Sequence, residues 1–486
     1  MSIYDNWEAV IGLEIHAELN TESKLFSSAR NRFGDEPNTN INEVCTGQPG
    51  ALPVINKEAI KKAVQFGLAI NATIAKFSKF DRKSYFYPDS PRNFQITQYD
   101  QPIILGGTVI AEVNGEEKSF AINRVHLEDD AGMLKHFTNF AGVDYNRAGV
   151  ALIEIVSEAC IHTPEEAMAY GAAVKAILQY TNVSDCNMEE GSLRIDANIS
   201  VRPKGETGLR NKIEIKNMNS FSNMGIALHA EIKRQIQEYL NHPEKPIHEV
   251  IAQTTCRFDP EIGATVLMRK KEQADDYRYF PEPDLVPIIL TDAYIEEIKK
   301  DLPELPLQRE RRYVKELQLS THNAFILTSE KKLADYFEEA LKTCKDAKML
   351  CNWIIMEFAG RFKDSGNSLL TSGISSSHVG KLVHLIETGV INGKIAKSVA
   401  DEMMLHPAKD PEEIVKENPD FSPVNDISEI STLVDKVVAE NPQSIIDFKA
   451  GRDKAFGFLV GQVMKLSKGK ASPQIVNDLL NKKIAE

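Results

Sequence analysis

The sequence predicts an α+β protein in which the strands come first and the helices last, and three observations carry that prediction. From residue 10 to about 290, apolar and polar side chains alternate with a period of two, broken by Gly, Pro and Asn clusters and by one or two helical stretches. From about 296 onward the apolar spacing is helical almost throughout. Between the two regimes stands PEPDLVP at 281–287, too stiff to continue a helix or a central strand, so the boundary is placed just after it.

Taken in chain order, Leu13, Ile15, Ala17 and Leu19 leave one side of an extended strand while Glu14, His16 and Glu18 leave the other. The stretch SARNRFGDEPNTN, followed by GQPGALP, reads as a long loop. Residues 81–102, DRKSYFYPDSPRNFQITQYDQP, set Tyr85, Tyr87 and Asp89 beside Lys83 and Arg92 around two prolines, a rigid loop that presents hydrogen-bonding groups. Arg124, His126 and Glu128 then alternate with Val125 and Leu127, and Glu154 and Glu158 stand beside Ile153 and Ile155. A helix is expected over 164–180. After it, Leu193, Ile195, Ala197, Ile199 and Val201 oppose Arg194, Asp196, Asn198, Ser200 and Arg202 in a strict two-faced strand. Glu214 and Lys216 flank Ile213 and Ile215, and a second helix covers 222–240 before Pro243 and Pro246. Residues 268–284 interleave Arg269, Lys270, Lys271 and Arg278 with Tyr277, Tyr279 and Phe280, which suits a phosphate or nucleic-acid contact and equally a solvated loop.

In the helical region TDAYIEEIKKDLPELP comes first. Ser375–Ser377 can cap HVGKLVHLIETG, Gly389 can end it, and the next helix runs from Lys394 to Met404. A Pro- and Asp-rich linker at 406–426 leads into a small terminal module. The expected domains are 1–295, 296–410 and 411–486.

The chain has 486 residues and a formal charge of -13, which excludes nucleic-acid binding by overall attraction. Any such surface must be local, and the basic tail that contains Lys465, Lys468 and Lys470 is the place for it. Six scattered cysteines show no zinc spacing and read as reduced core thiols. No apolar run reaches the roughly 20 residues that a bilayer demands, and the acidic first ten residues resemble neither a signal nor a transit peptide, so a cytoplasmic protein is expected. Gly389–Lys394 is one residue short of a P-loop and is followed by Ile395 where Ser or Thr should stand, so ATP, if used, is held by something else.

The charged strand faces have two readings. One is an antiparallel sheet with a solvated side. The other follows if the strands share a sheet: Glu14, His16, Glu128, Asp129 and Glu154 then converge, and their oxygen donors with one imidazole favour Mg²⁺ or Mn²⁺ over zinc. Such an ion would bridge and neutralise polyphosphate oxygens.

At this point IGLEIHAELNTESKLF, GQPGALPVIN, DRKSYFYPDSPRNFQITQYDQPI, HLEDDAG, DYNRAGVALIEIVSE, CNMEEGSLRIDANISVRP, EIKNMNSF, DYRYFPEPDL and KAFGFLVGQVMKLSKGKASPQIVNDLL together resemble the B subunit of the heterotrimeric glutamyl/aspartyl-tRNA amidotransferase. The resemblance runs over nearly the whole chain. It implies a catalytic domain similar to glutamine synthetase, with an open antiparallel sheet backed by helices, then a helical domain and a YqeY-like tail that hold the tRNA. It also implies ATP- and Mg²⁺-dependent activation of the side-chain carboxylate of glutamate or aspartate mischarged on tRNA. Ammonia, made from glutamine by an amidase-like A subunit, then displaces the phosphate, and a small C subunit ties the two together. By motif position Glu14, His16, Asp129 and Glu154 resemble magnesium ligands with Glu128 as neighbour or alternate. Lys83, Tyr85 and Asp196 resemble catalytic residues, while Arg92, Arg194, Asn198 and Lys216 are expected to bind ATP or substrate, and Lys465, Lys468 and Lys470 to bind tRNA.

The chain departs from the family pattern in four places, one of them Ala151 where a Pro commonly precedes L-I-E-I. The usual Q-E-T-R is Gln253, Thr254, Thr255 and Cys256 here, with Arg257 following. The second acid of the H-L-E-E-D motif is Asp129, and only Cys45 stands where some relatives carry a zinc-type cysteine pair, so no structural zinc is expected.

Overall fold

The computed structural model describes residues 3–270, 276–363, 366–421, 427–449, 453–467, 471 and 473–485. Its backbone falls into two compact units, Met1–Leu307 and Gln308–Glu486.

The first unit is built on one large open sheet. Its strands are Trp7–Glu18 (β1), Thr73–Ile74 (β2), Ile104–Leu105 (β3), Thr108–Val113 (β4), Glu116–Asp129 (β5), Ala151–Ser157 (β6), Leu193–Pro203 (β7), Ile213–Lys216 (β8), Thr254–Asp259 (β9) and Ala264–Lys270 (β10). They lie in the order β10-β9-β8-β7-β1-β6-β5-β3-β2, with β4 paired to β5 off this path. The N-terminal strand is thus central, hydrogen-bonded to β6 on one side and β7 on the other. The alternation read from the sequence is the alternation of burial: Ile11, Leu13, Ile15 and Ala17 are fully buried while the residues between them are partly exposed.

One pair departs from the antiparallel arrangement, β8 with β9. Helix Phe221–Asn241 lies between them in sequence, and a strand that returns beside its predecessor after a helical crossover must run parallel to it.

Three helices cover the apolar face: Lys57–Ala69 (α1), Pro164–Tyr180 (α2) and Phe221–Asn241 (α3). Each starts at a side-chain cap. Asn56 accepts from the amide of Glu58, Thr163 from that of Glu166, and Ser220 from that of Asn223. Helices α2 and α3 approach through paired small residues. A Cβ at Gly171 would come within 2.8 Å of the Phe221 ring, and one at Gly225 within 2.7 Å of Met168 Sδ. Helix Asp292–Lys300 also belongs here, because Tyr294, Ile295 and Ile298 join the same core.

A smaller three-stranded sheet, of Phe280–Pro281, Asp81–Ser84 and Phe94–Thr97, is tied to the end of β5. Asp129 Oδ1 accepts from the amide of Ile96 at 2.8 Å, and the amide of Leu127 donates to Gln98 Oε1 at 3.0 Å. This attachment brings the 81–102 segment to the sheet.

The described residues of the second unit are helical and form two hydrophobic clusters, one of residues 313–421 and one of residues 430–484. Helix Ser376–Glu387 is capped by Ser375 and followed by Gly389 at a positive φ of 72°. It packs against Lys331–Leu341 so closely that a Cβ at Gly380 would lie 2.2 Å from the carbonyl oxygen of Ala340. Within the expected linker, Pro411–Glu417 is a helix, and its Ile414 and Val415 belong to the first of these clusters. Among the described residues no helix is long and apolar enough to cross a membrane.

Candidate active site

Residues directly opposite each other on neighbouring strands share a face, so the register assembles the site. His126 of β5 faces Glu154 of β6, Glu154 faces His16 of β1, and His16 faces Arg194 of β7. One pleat away the row is Arg124, Val156, Glu14 and Asp196. In the other direction Glu128 faces Leu152, which faces Glu18.

The row of Glu154, with Glu128 of the row beside it, closes into a cluster. His126 Nε2 is 3.0 Å from a Glu154 carboxylate oxygen and 3.6 Å from one of Glu128. His16 Nε2 is 3.5 Å from Glu154 and 3.8 Å from Glu128. Ligand atoms of His16, Glu128 and Glu154 all lie within 4.8 Å of one another. Separations below that bound let one cation reach all three with bonds of about 2.0 to 2.4 Å. Two carboxylates balance one divalent charge when the imidazoles are neutral, so the donor set fits such an ion.

The cluster's electrostatics follow from burial and proximity. Burial disfavours the imidazolium of His126, yet the charges and hydrogen bonds of Glu154 and Glu128 outweigh it and lift its pKa to about 9. His16 is raised for the same reasons, against the same burial penalty. Burial alone would raise Glu154, but His126 and His16 hold it well below the ordinary carboxylate range. Glu128 is lowered too: burial opposes its charge, and the hydrogen bond to His126 prevails together with the two imidazole charges. Tyr279, stacked on Tyr99 with centroids 4.1 Å apart, is pushed up to about 12 by burial and then by the charges of Glu128 and Glu154.

These shifts predict a pH window for the chain without metal. Charged His126 contributes stability that is complete below its ordinary pKa of 6.5 and is lost as the pH rises through about 9. The contribution of Glu154 runs oppositely, being present above the ordinary carboxylate range and lost on acidification. The melting temperature in chelator should therefore fall as the pH rises from about 7 towards 9, and added Mg²⁺ should reverse the fall by replacing imidazole protons. A flat profile in chelator would count against a charged cluster.

The other expected residues are distributed around this group. Asp129 is one residue beyond Glu128, so its carboxylate leaves the opposite side of the strand; it is bound by Arg92 and the amide of Ile96 and stands apart from the group. Glu14, one pleat away, accepts from Asn198 Nδ2 at 2.7 Å. Asp196 pairs with Lys216, which also reaches Glu214 at 3.0 Å. Arg194 donates to Asp130 at 2.7 Å. Lys83 and Tyr85 line a pocket with Arg92, Gln95, Asp129 and Tyr277, and Lys83 Nζ lies 4.8 Å from the centre of the Tyr277 ring. In the second unit Lys465 is exposed on helix Asp453–Leu466, while Lys468 and Lys470 lie outside the described residues.

Two neighbours of the cluster were not among the expected site residues. His126 shares the parity of Glu128 on a strand whose alternation is plain in the sequence, so its place on the polar face was legible there. Tyr279 carries no such signal, because its position depends on the pairing of Phe280–Pro281 with Asp81–Ser84, remote in sequence.

Comparison with known proteins gives a consistent picture. Residues 9–296 match a family described as the GatB/GatE catalytic domain, and residues 335–484 one described as the GatB domain. The chain is 73% identical over 482 residues to the aspartyl/glutamyl-tRNA(Asn/Gln) amidotransferase B subunit of Protochlamydia amoebophila (strain UWE25), covering 99% of this chain and 98% of the relative. It is 59% identical over 479 residues to the protein of the same description from Chlamydia pneumoniae, with 99% and 98% covered. For that of Chlamydia abortus (strain DSM 27085 / S26/3) the identity is 58% over 478 residues, with 98% of each covered.

Proposed function

The chain belongs to the family of aspartyl/glutamyl-tRNA(Asn/Gln) amidotransferase B subunits, and on that footing we propose that its polar sheet face uses ATP to activate the side-chain carboxylate of an aminoacyl-tRNA for amidation. As part of an amidotransferase it serves protein biosynthesis within an enzyme of several different chains. The observation that supports the catalytic reading is the convergence of His16, Glu128 and Glu154 beside the pocket segment that carries Lys83.

A carboxylate is a poor electrophile. Transfer of the terminal phosphoryl group of ATP to it forms an acyl phosphate and ADP, and attack by ammonia then yields the amide and inorganic phosphate. His16, Glu128 and Glu154 would hold Mg²⁺, with His126 beside them; when bound, the ion neutralises and orients phosphate oxygens. Lys83 supplies positive charge toward the transferring group, and Tyr85 shapes the same pocket wall. Asp196, paired with Lys216, takes a proton as ammonia becomes an amide. Asn198 and Arg194 orient substrate on the same face, and Arg92 orders the pocket by its tie to Asp129. The substrates are Glu-tRNA(Gln), Asp-tRNA(Asn) or both. Ammonia comes from glutamine through an amidase-like A subunit, the heterotrimer is completed by a small C subunit, and the tail around Lys465 contacts the tRNA.

The test is ADP formation from ATP by the chain assembled with its partners. Glu-tRNA, Asp-tRNA and uncharged tRNA are each supplied with Mg²⁺ or with chelator. ADP that requires both an aminoacylated tRNA and Mg²⁺ supports the reading and identifies the amino acid. ADP formation indifferent to both, with tRNA still bound, would leave this chain as a tRNA scaffold.

A further inference from the structure

The cations on the polar face of the sheet differ in one respect. Arg194 is paired with Asp130, Arg202 with Glu8, and Lys216 with Asp196 and Glu214. The Arg124 side chain has no hydrogen bond or ion pair among the described residues, and its Nε is buried without a partner. A buried guanidinium nitrogen left unpaired carries a desolvation cost that an incoming anion would relieve.

The register explains why no carboxylate of the sheet reaches it. In its own row the neighbour on β6 is Val156, and Glu14 lies a further strand away, about 10 Å at normal strand spacing. On the other side Arg124 faces Leu105 of β3. Along β5 the next residue on the same face is His126, a nitrogen donor already paired with Glu154. Arg124 is therefore one pleat from the His16, Glu128 and Glu154 cluster, with its charge unspent. Arg124, Glu128 and Glu154 carry side chains on one face of the sheet: Arg124 and Glu128 each lie two residues along β5 from His126, and Glu154 is directly opposite that histidine.

We propose that Arg124 is a binding residue for the polyphosphate of the nucleotide, its guanidinium taking oxygens of a phosphate group lodged against the His16, Glu128 and Glu154 cluster. This rests on the phosphoryl-transfer reading given above. A planar fork of donors suits two phosphate oxygens, which a lysine at the same place would meet only as a point charge.

The experiment titrates ATP, adenosine and tripolyphosphate into the full-length chain in Mg²⁺, for wild type, Arg124→Met and Arg124→Lys, with melting temperatures alongside. In Arg124→Met, ATP and tripolyphosphate should bind about ten- to hundredfold more weakly, with adenosine unaffected and the ligand-free melting temperature equal to wild type or higher, since the buried unpaired nitrogen is gone. Arg124→Lys should fall between. If wild type binds ATP and Arg124→Met binds it equally well, this proposal fails alone. If wild type binds neither ATP nor tripolyphosphate, the phosphoryl-transfer reading fails and takes the proposal with it. Weakened tRNA binding with ATP binding intact would assign Arg124 to a nucleic-acid phosphate and overturn the nucleotide assignment. Should Arg124→Met not fold, Arg124→Lys decides: weaker ATP binding at the wild-type melting temperature supports the proposal, and unchanged binding overturns it.

Discussion

Glu154→Gln should lower amide formation by about a thousandfold or more, the scale set by losing a charged ligand from the phosphate-stabilising site proposed above. Glu154 is the middle member of the row, bridging His126 and His16 across three strands, and lies nearer to both imidazoles than Glu128 does. The substitution removes a full negative charge while preserving shape. Both imidazoles should then lose part of their upward shift, Glu128 still contributing, Mg²⁺ should bind more weakly, and tRNA binding, which the proposed function assigns to the tail, should change little. Steady-state amidation together with tRNA binding by the assembled enzyme checks this. Near-normal turnover would mean that the charged face is merely solvated.

The largest effect on stability is expected at Arg92. Asp129 is 1% exposed, and burial raises its pKa, an effect that the adjacent Arg92 offsets only in part. Arg92→Met leaves that carboxylate buried without its cation and should destabilise the first unit by about 3 to 5 kcal/mol. Asp129→Asn should cost less, about 1 to 2 kcal/mol, because the amide oxygen still accepts from Ile96 and Arg92 borders a pocket open to water. The defect of Arg92→Met should also shrink on acidification, since protonated Asp129 no longer needs a counter-charge. Urea unfolding at two pH values distinguishes these outcomes; equal losses in the two variants would contradict the asymmetry.

What could be read from the sequence was local, and what could not was the pairing. The two faces of β1 and β7 follow from period-two alternation, and the structure keeps them residue for residue. The helices at 164–180 and 222–240 were legible from the helical spacing of their apolar residues. Helix α1 was not singled out, although Asn56 before a run with buried Ala59, Ala63, Val64 and Phe66 marks its start. The parallel pair of β8 and β9 was implicit in the helix that separates them, but an all-antiparallel expectation concealed it. At the site, parity separates Glu128 from Asp129, since neighbours on a strand point oppositely; motif position alone makes them look interchangeable. That His16, Glu128 and Glu154 meet, and that Arg124 does not meet Glu14, depends on strand order and register, which a single sequence does not encode locally.

The central place of β1 has a consequence for the birth of the protein. Strand β1 leaves the ribosome before either of the segments hydrogen-bonded to its edges, Ala151–Ser157 and Leu193–Pro203, has been synthesised. At about 5 to 20 residues per second, this strand waits on the order of ten to thirty seconds for its second partner, with its apolar face uncovered. Translation speed over the first two hundred residues, and whatever shields an unpaired nascent strand, therefore bear directly on the yield of active chain.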